Sequence, residues 1–367
     1  MSSYVVSARK YRPMSFDTVV GQEHITRTLI NEIKSQKLAQ AFLFCGPRGV
    51  GKTTCARILS KEINKEEGVE ASSDFAFNIF ELDAASNNSV DDIRNLVDQV
   101  RIPPQTGKYK VYIIDEVHML SSAAFNAFLK TLEEPPPYAI FILATTERHK
   151  ILPTILSRCQ VFNFERITVK SMVEHLQSIC QKEEIKAEVE ALHLIAQKAD
   201  GAMRDALSIF DQMVSFSDTR TLVYSEILEN LNILDYDYYF GLTEGFLDNN
   251  SAKALLVFDE IQKKGFDGQL FLSGLASHFR DLLVCKSPDT LNLLEVPGNI
   301  AEKYRAQAKA VPDSFILNAL NVVDKYDQSY KTSNNQRLHV ELALIKLSHL
   351  QQAINLLEEL KKKSLSQ

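Results

Sequence analysis

The feature that most limits the fold of this chain is a glycine-rich segment that matches the pattern G-x-x-x-x-G-K-[ST]. It consists of Gly46, Pro47, Arg48, Gly49, Val50, Gly51, Lys52 and Thr53. The apolar run AFLFC ends just before it and a helix-favouring stretch follows, which is the context that the pattern requires. Backbone N–H groups can then close around phosphate oxygens at the positive end of a helix. The alternative, a glycine-rich turn that binds no ligand, fits these flanks poorly.

Short apolar strands alternate with helical stretches over about the first 165 residues, at the βαβ spacing of an α/β domain with a parallel sheet. Three of the strands are continuous apolar runs, as expected for strands covered on both faces. The predicted strands are Ala41–Cys45, Asn78–Leu82, Val111–Asp115, Ala139–Thr145 and Val161–Phe164. The predicted helices between them are Glu23–Lys34, Thr53–Asn64, Val90–Val100 and Ala123–Leu132.

Strand signals stop after about Thr168, and the rest of the chain is predicted to be helical. A small unit is predicted from the helices Val169–Glu183, Glu188–Ala199, Met203–Val214 and Tyr224–Leu231, with a break at Gly201. A second helical region follows from about Asp235, with strong helical periodicity in Phe271–Leu283 and Val340–Leu357. We therefore expect three domains: an α/β domain (1–167), a small helical domain (168–232) and an all-helical domain (233–367).

The apolar strand in VYIIDE ends in two carboxylates, Asp115 and Glu116. Parallel strands deliver their C-terminal residues to the ligand crevice of an open sheet, so this pair is expected to bind Mg²⁺ and to polarise a water molecule. The alternative is a pair of charges favoured by a helix N-terminus. Taken alone, Thr146 after the next strand is only weakly indicative. Local reasoning leaves Arg158 as a solvated residue and pairs Arg204 with a neighbour such as Asp205.

Composition excludes several classes of protein. Apolar residues make up 45% of the 367 residues, charged residues make up 24%, and the net charge is −6, which argues against wholesale disorder and against a uniformly basic nucleic-acid coat. No apolar run reaches the ~20 residues of a membrane span, and the N-terminus lacks a signal-peptide core. We therefore predict a cytoplasmic protein. The five cysteines form no C-x-x-C pair, so no disulfide framework is predicted.

The order of motifs resembles that of the clamp-loader AAA+ ATPases, most closely the gamma/tau group of bacterial DNA polymerase III subunits. The motifs are YRP…VVGQ, GPRGVGKT, ELDAASNNSVDDIR, VYIIDEVHML, LKTLEEPP, FILATTE, LPTILSRC and GAMRDALS. The resemblance extends to NNQRLHVELALIKL, which is similar to the family's collar domain. It implies an AAA+ P-loop domain, a helical lid and an all-α collar that supports oligomerisation.

The resemblance also implies roles for particular residues. The loop residues and Thr54 hold the phosphates of ATP, with Mg²⁺ at Thr53 and Asp115. Glu116 and Asp115 are the hydrolytic pair, Thr146 is the sensor 1 residue and Arg204 is the sensor 2 residue. Arg158 is an arginine finger that acts on a neighbouring subunit's ATP. The segment that holds adenine and ribose comprises Tyr11, Arg12, Pro13, Val19, Val20 and Gln22.

One departure from the family concerns zinc. Its members usually carry a four-cysteine module between the P-loop helix and the second strand, but residues 64–74 contain no cysteine or histidine. Since zinc needs thiolate or imidazole ligands, we predict no zinc. We also expect this chain to lack the tau-type extension that binds helicase and polymerase.

The function implied by the resemblance is an ATP-driven motor that helps to load a sliding clamp onto primed DNA. The implied partners are delta- and delta-prime-type subunits, copies of this chain, the clamp and the DNA backbone, with no membrane. Any polymerase activity would belong to the holoenzyme. The alternatives are a non-catalytic scaffold in which nucleotide is a structural clip, and a remodelling motor such as one for branch migration.

A DNA-contacting surface is the least direct of these predictions. The segment Ala85–Arg94 begins a helix whose N-terminal amides can hold a phosphate. Ser89 as an N-cap, with Asp92 three residues on, is an alternative that is compatible with that role. Positive charge nearby is expected from Arg94, Arg101, Lys108 and Lys110.

Overall fold

The computed structural model describes residues 5–65, 78–105, 107–217 and 219–356. The chain divides into two compact units, Met1–Ala187 with Ile195–Thr221, and Glu188–Leu194 with Leu222–Gln367. Within the described part of the chain, no helix has the length and apolar character needed to cross a bilayer.

The first unit is built on a parallel sheet of five strands in the order β2-β3-β4-β1-β5. The three central strands are buried along almost their whole length because helices cover both faces of the sheet. The strands are β1 (Ala41–Cys45), β2 (Ile79–Asp83), β3 (Lys110–Asp115), β4 (Ala139–Thr145) and β5 (Gln160–Asn163). The predicted α/β class and all five strands are confirmed, with bounds that shift by at most one residue.

Helices form a layer on each face of this sheet. The helices that precede or connect these strands in the chain are α1 (Ser7–Lys10), α2 (Glu23–Ser35), α3 (Lys52–Glu62), α4 (Val90–Val100), α5 (Ser122–Glu133) and α6 (Pro153–Leu156). On one face α2 and α3 bury Leu29 and Leu59, and on the other α4 and α5 bury Ile93 and Phe128. The start of α4 is fixed by a capping box, in which Ser89 Oγ accepts from the Asp92 amide and Asp92 accepts from the Ser89 amide.

The carboxyl ends of the central strands meet at one edge of the sheet. Cys45 of β1 is in register with Thr145 of β4, and Asp83 of β2 is in register with Asp115 of β3. The glycine-rich segment follows β1 directly, so it lies at the same edge as the carboxylates after β3. The order of the strands therefore creates the site.

The helices that follow are α7 (Val169–Glu183), α8 (Val189–Lys198), α9 (Met203–Phe216) and α10 (Tyr224–Asn230). Gly201, at φ +78°, separates α8 from α9 as predicted. The expectation that strands stop after Thr168 was wrong in one detail, because β6 (Lys186–Ala187) and β7 (Thr221–Leu222) form a two-stranded sheet. These two-residue strands are too short to show a periodic pattern.

The second unit is helical, with α11 (Tyr236–Leu247), α12 (Ser251–Lys263), α13 (Gly268–Val284), α14 (Gly298–Ala310), α15 (Asp313–Ser329) and α16 (Gln336–Ser348). Aromatic residues such as Phe258, Phe271 and Phe315 fill its core. The helical periodicity predicted over Val340–Leu357 corresponds to the second half of α16 and, after an interruption at His349, to a further helical stretch over 350–356. Apolar periodicity continues past this interruption and so conceals it.

Candidate nucleotide-binding site

The glycine-rich loop has a backbone that only glycine accommodates. Gly46 has φ +149°, and a Cβ there would lie 2.4 Å from the carbonyl oxygen of Phe164. Gly51, the N-cap of α3, has φ +105°. Side chains at these positions would force the loop away from β5 or out of its left-handed turn. The loop therefore turns directly into the N-terminus of α3, where backbone amides can bind a phosphate.

Lys52 is held within the loop itself. Its Nζ donates to the carbonyl oxygens of Gly46 and Pro47, each at 2.7 Å, and the residue is 6% exposed. Burial lowers the pKa of Lys52, and the carboxylates of Glu116 and Asp115 oppose that shift. An ammonium in this position is available to an anion that enters the loop.

Thr53 and Asp115 meet across the crevice. Thr53 Oγ1 donates to Asp115 Oδ2 at 2.6 Å, although the two residues are 62 positions apart. A hydroxyl and a carboxylate in contact form a donor set that hard cations such as Mg²⁺ prefer. The residues present therefore fit a magnesium ion at this point.

Glu116 is held in an unusual backbone conformation beside Thr146. Its φ is +47°, a region that few residues other than glycine adopt. Its Oε2 accepts hydrogen bonds from the Thr146 amide at 3.2 Å and the Thr146 hydroxyl at 3.0 Å. The carboxylate lies next to Asp115, whose Oδ1 accepts from the Glu116 amide.

A cavity of about 550 Å³ opens beside these groups. Of the predicted site residues, those that line it are Tyr11, Arg12, Pro13, Val19, Val20, Arg48, Gly49, Val50, Gly51, Lys52, Thr53, Thr54, Asp115, Glu116 and Arg204. Six Lys or Arg and three Asp or Glu from the described residues line it. The excess of cations matches a polyanionic ligand.

Gln22 is a predicted site residue that lies behind the cavity. It is fully buried, and its amide donates to the carbonyl oxygens of Glu165, at 2.8 Å, and Val50, at 3.5 Å. Its Oε1 accepts from the Glu165 amide. Gln22 therefore fastens the N-terminal segment to the loop and to the chain after β5.

The N-terminal segment is also bonded to the lid helices. Ser7 donates from its amide and its hydroxyl to Asp211 of α9. Lys10 and Tyr11 both donate to Glu183 at the end of α7, and these bonds lower the pKa of that carboxyl. Arg12 donates from Nε to the Thr54 hydroxyl, so the segment bridges the lid and α3.

The start of α9 packs directly on the loop. The Arg204 amide donates to the Gly49 carbonyl at 3.4 Å, and a Cβ on Gly49 would lie 2.9 Å from that of Ala202. Among the ion pairs of the described residues, Arg204 forms none with Asp205, so the local interpretation of Arg204 was wrong. Its side chain lines the cavity instead.

Several lining residues gave no sequence signal. Arg57 and Glu81 form a two-bond ion pair at the cavity wall, with distances of 2.8 and 2.5 Å. His175 of α7 and Ile167 line the cavity as well. None of them belongs to a motif of its own, so their place depends on the packing of distant segments.

Arg158 lies away from this cavity. Its Nη2 is 2.6 Å from Oε1 of Glu133, and its Nη1 donates to the Thr154 carbonyl at 2.7 Å. The side chain is 33% exposed. The local interpretation of Arg158 as simply solvated was therefore wrong, because α5 supplies an acidic partner.

The candidate DNA surface is only partly as expected. Arg94 and Arg101 are exposed and pair loosely with Asp91 and Asp98 of α4. Lys110 was wrongly assigned to this surface. It is 7% exposed, and its Nζ donates to the carbonyl oxygens at the end of α4, Gln99 and Ile102.

A phosphate-binding loop after β1, an acidic pair after β3 and a helical lid that reaches the loop together define the AAA+ class of P-loop proteins. Family models match three consecutive parts of the chain. They are "DNA polymerase III, delta subunit" over residues 21–168, "DNA polymerase III clamp loader subunit, ATPase lid domain" over 171–219, and "DNA polymerase III subunits gamma and tau domain III" over 225–362.

Curated relatives agree with these matches. The chain is 40% identical over 359 residues to DNA polymerase III subunit tau of Bacillus subtilis, covering 94% of this chain and 63% of the relative. It is 36% identical over 361 residues to subunit tau of Escherichia coli, covering 94% and 55%. A Thermotoga maritima RuvB branch migration motor aligns with a TM-score of 0.49 and 23% identity, over 63% of this chain and 78% of that one. The chain is similar over most of its length to the gamma/tau subunits of bacterial DNA polymerase III, and residues 225–362 match the gamma and tau domain III model. It spans less than two thirds of the length of these two relatives.

Proposed function

We propose that this chain is an ATP-hydrolysing motor subunit of a clamp-loader complex, which loads a sliding clamp onto primed DNA during DNA replication. The observation that carries the proposal is the contact between Thr53 and Asp115, with Glu116 beside it, at the phosphate-binding loop. A chain that serves only as a scaffold has no need of these three groups together. The polymerase activity of the holoenzyme would reside in other subunits.

Substrate binding is assigned to the loop and its neighbours. The loop amides and Lys52 would hold the β- and γ-phosphates, and Arg204 would reach them from the lid. Tyr11, Pro13, Val19 and Val20 would hold adenine and ribose at the other end of the cavity. Thr53 and Asp115 would hold Mg²⁺, which when bound neutralises phosphate charge.

Hydrolysis is the attack of water on the γ-phosphorus, with cleavage of the bond to the β,γ-bridging oxygen. Glu116 would orient the water and accept hydrogen bonds from it, and Thr146 would sense the γ-phosphate or the water. Because phosphoryl transfer relies on positioning and charge stabilisation, small displacements of these groups are costly. Release of phosphate and ADP would complete a turnover.

Arg158 is assigned to the ATP of a neighbouring subunit. Its absence from the residues that line this chain's own cavity and its partly exposed side chain support action in trans. The implied neighbours are copies of this chain and delta- and delta-prime-type subunits. The clamp and the DNA backbone are the proposed partners of the assembled complex, and the cytoplasm is its proposed location.

The three-part division of the chain is part of the same proposal: an α/β domain (1–167), a lid (168–232) and a collar (233–367). The bounds of the three family matches support it. The zinc prediction concerns residues 64–74, of which 66–74 lie outside the described residues, and it stays a prediction.

Phosphate release by the assembled complex, with and without clamp and primed DNA, tests the proposal. We expect turnover that rises when both are added. A complex that binds ATP but releases no phosphate under any of these conditions would support the scaffold alternative.

A further inference from the structure

His118 is a buried side chain between the hydrolytic pair and the loop after β4. Its side chain is 6% exposed. Its Nδ1 lies 3.0 Å from the Thr145 hydroxyl and 3.5 Å from Glu116 Oε2, and its Nε2 lies 3.3 Å from Glu147 Oε1. One imidazole therefore contacts both residues that flank Thr146.

The hydrogen bonds around His118 can be assigned from its neighbours. The Thr145 hydroxyl already accepts from the Glu147 amide at 3.0 Å, so its own proton is available for Nδ1. In that tautomer the Nε2 proton lies on the side of the ring that faces the Glu147 carboxylate, 3.3 Å away. This arrangement satisfies the hydroxyl of Thr145, which is fully buried.

These contacts fix the position of Thr146 from both sides. Thr146 in turn donates two hydrogen bonds to Glu116 Oε2, from its amide and its hydroxyl. The backbone of Glu116 is itself in a left-handed conformation, which persists only where surrounding contacts hold it. Displacement of Thr146 would therefore displace the carboxylate.

We propose that His118 is a positioning residue for the hydrolytic step: it holds the Thr145–Glu147 turn so that Thr146 and Glu116 keep their relative geometry. The inference rests on the proposed ATPase function. His118 makes none of the described contacts with the phosphate-binding loop, so its loss should affect turnover and leave nucleotide binding intact.

His118→Phe retains a ring of similar size and removes both the hydrogen bond to Thr145 and the polar contact with Glu147. In the assembled complex we expect kcat for ATP to fall about tenfold or more, while KM and the Kd of a non-hydrolysable ATP analogue change less than about threefold. His118→Gln, which can donate to Glu147 and accept from Thr145, should recover part of kcat. His149→Ala is the matched control, since His149 also approaches Glu147 (3.5 Å) but is 75% exposed, and it should retain the wild-type kcat.

Thr145→Val removes the same hydrogen bond from the other side at almost equal volume, together with the bond that the Thr145 hydroxyl accepts from the Glu147 amide. It should reproduce the fall in kcat if His118→Phe does not fold. The inference is overturned if folded His118→Phe keeps the wild-type kcat, or if binding and thermal stability fall together and His118→Gln restores nothing. No turnover in the wild-type complex would instead overturn the proposed function and this inference with it.

Discussion

Arg158 and Glu133 form an ion pair, with Nη2 2.6 Å from Oε1, at a distance from the nucleotide cavity of the same chain. The ion pair holds the Arg158 guanidinium in place, and Arg158 is not among the residues that line the nucleotide cavity of its own chain. The pair is partly exposed and therefore weak enough to exchange for a stronger anion. A phosphate presented by a neighbouring subunit is such an anion.

The first prediction follows from this pair. Arg158→Ala should leave ATP affinity of its own site within about twofold, because the cavity does not include it. Hydrolysis in the assembled complex should fall, since an arginine finger in trans can contribute about 10³-fold or more in related GTPase systems. Mixed complexes decide the mode of action: the variant should inactivate the adjacent wild-type site. Loss confined to the variant's own site would mean that Arg158 acts in cis.

Lys52→Ala should abolish ATP binding with little cost to the fold. The ammonium contacts only loop carbonyls in the described structure, and its burial opposes its charge. We therefore expect the apo protein to melt within a few degrees of the wild type. Titration with a fluorescent ATP analogue measures binding. The control is Lys34→Ala, at an exposed position of α2. Wild-type affinity in Lys52→Ala would contradict the assignment.

Glu116→Gln should separate binding from hydrolysis. The amide keeps the size of the side chain and can still accept from Thr146, so ATP should bind with near-normal affinity. Turnover should fall by about 10²-fold or more, because a neutral amide orients and polarises water poorly. Single-turnover measurements with excess complex check this. A normal rate would require another residue to take the role.

Arg94 and Arg101 test the DNA surface. Neutralising both to Gln should weaken binding of primed DNA and reduce the slope of log K against log salt by about 2 if each contacts one phosphate. Arg27→Gln with Lys34→Gln, on α2 at the opposite face of the sheet, is the charge-matched control. An unchanged salt slope would remove this surface from the DNA contacts. Lys110 is not included, since its loss would damage the end of α4.

We expect His278 to make the stability of the helical second unit dependent on pH. It is buried in contact with Thr243, Tyr304 and Gln307, and burial lowers the pKa of His278 to about 3. In the unfolded chain the His278 imidazole binds a proton near pH 6.5, whereas in the folded chain it stays neutral at that pH. The contribution of His278 to the free energy of unfolding is therefore fully present above about pH 6.5. It decreases by roughly 1 kcal/mol per pH unit as the pH falls toward 3.

Chemical denaturation at pH 7 and pH 5 measures this effect. His278→Phe should be less stable than wild type at pH 7, because it leaves polar partners unsatisfied. Its stability should fall less than that of the wild type between the two pH values. Equal losses would show that His278 does not titrate in this way.

Much of the fold followed from local patterns in the sequence. Continuous apolar runs located the central strands, and Ser89 with Asp92 located the start of α4. The glycine-rich segment predicted a phosphate site because glycine readily adopts the positive φ angles that such a loop needs, as Gly46 and Gly51 do. Asp115 could be placed at the same edge because parallel strands end there together.

Tertiary structure decided what depends on partners far apart in the chain. Gln22 proved to be a buried link to Glu165, and Lys110 proved to cap a helix end. Neither partner is adjacent in sequence, and a polar side chain carries no mark of whether folding will bury it. The position of His118 between Thr145 and Glu147 has the same origin. The sequence determined which chemical groups are present and which backbone they prefer, whereas burial and the partners it imposes arose only from the packed chain.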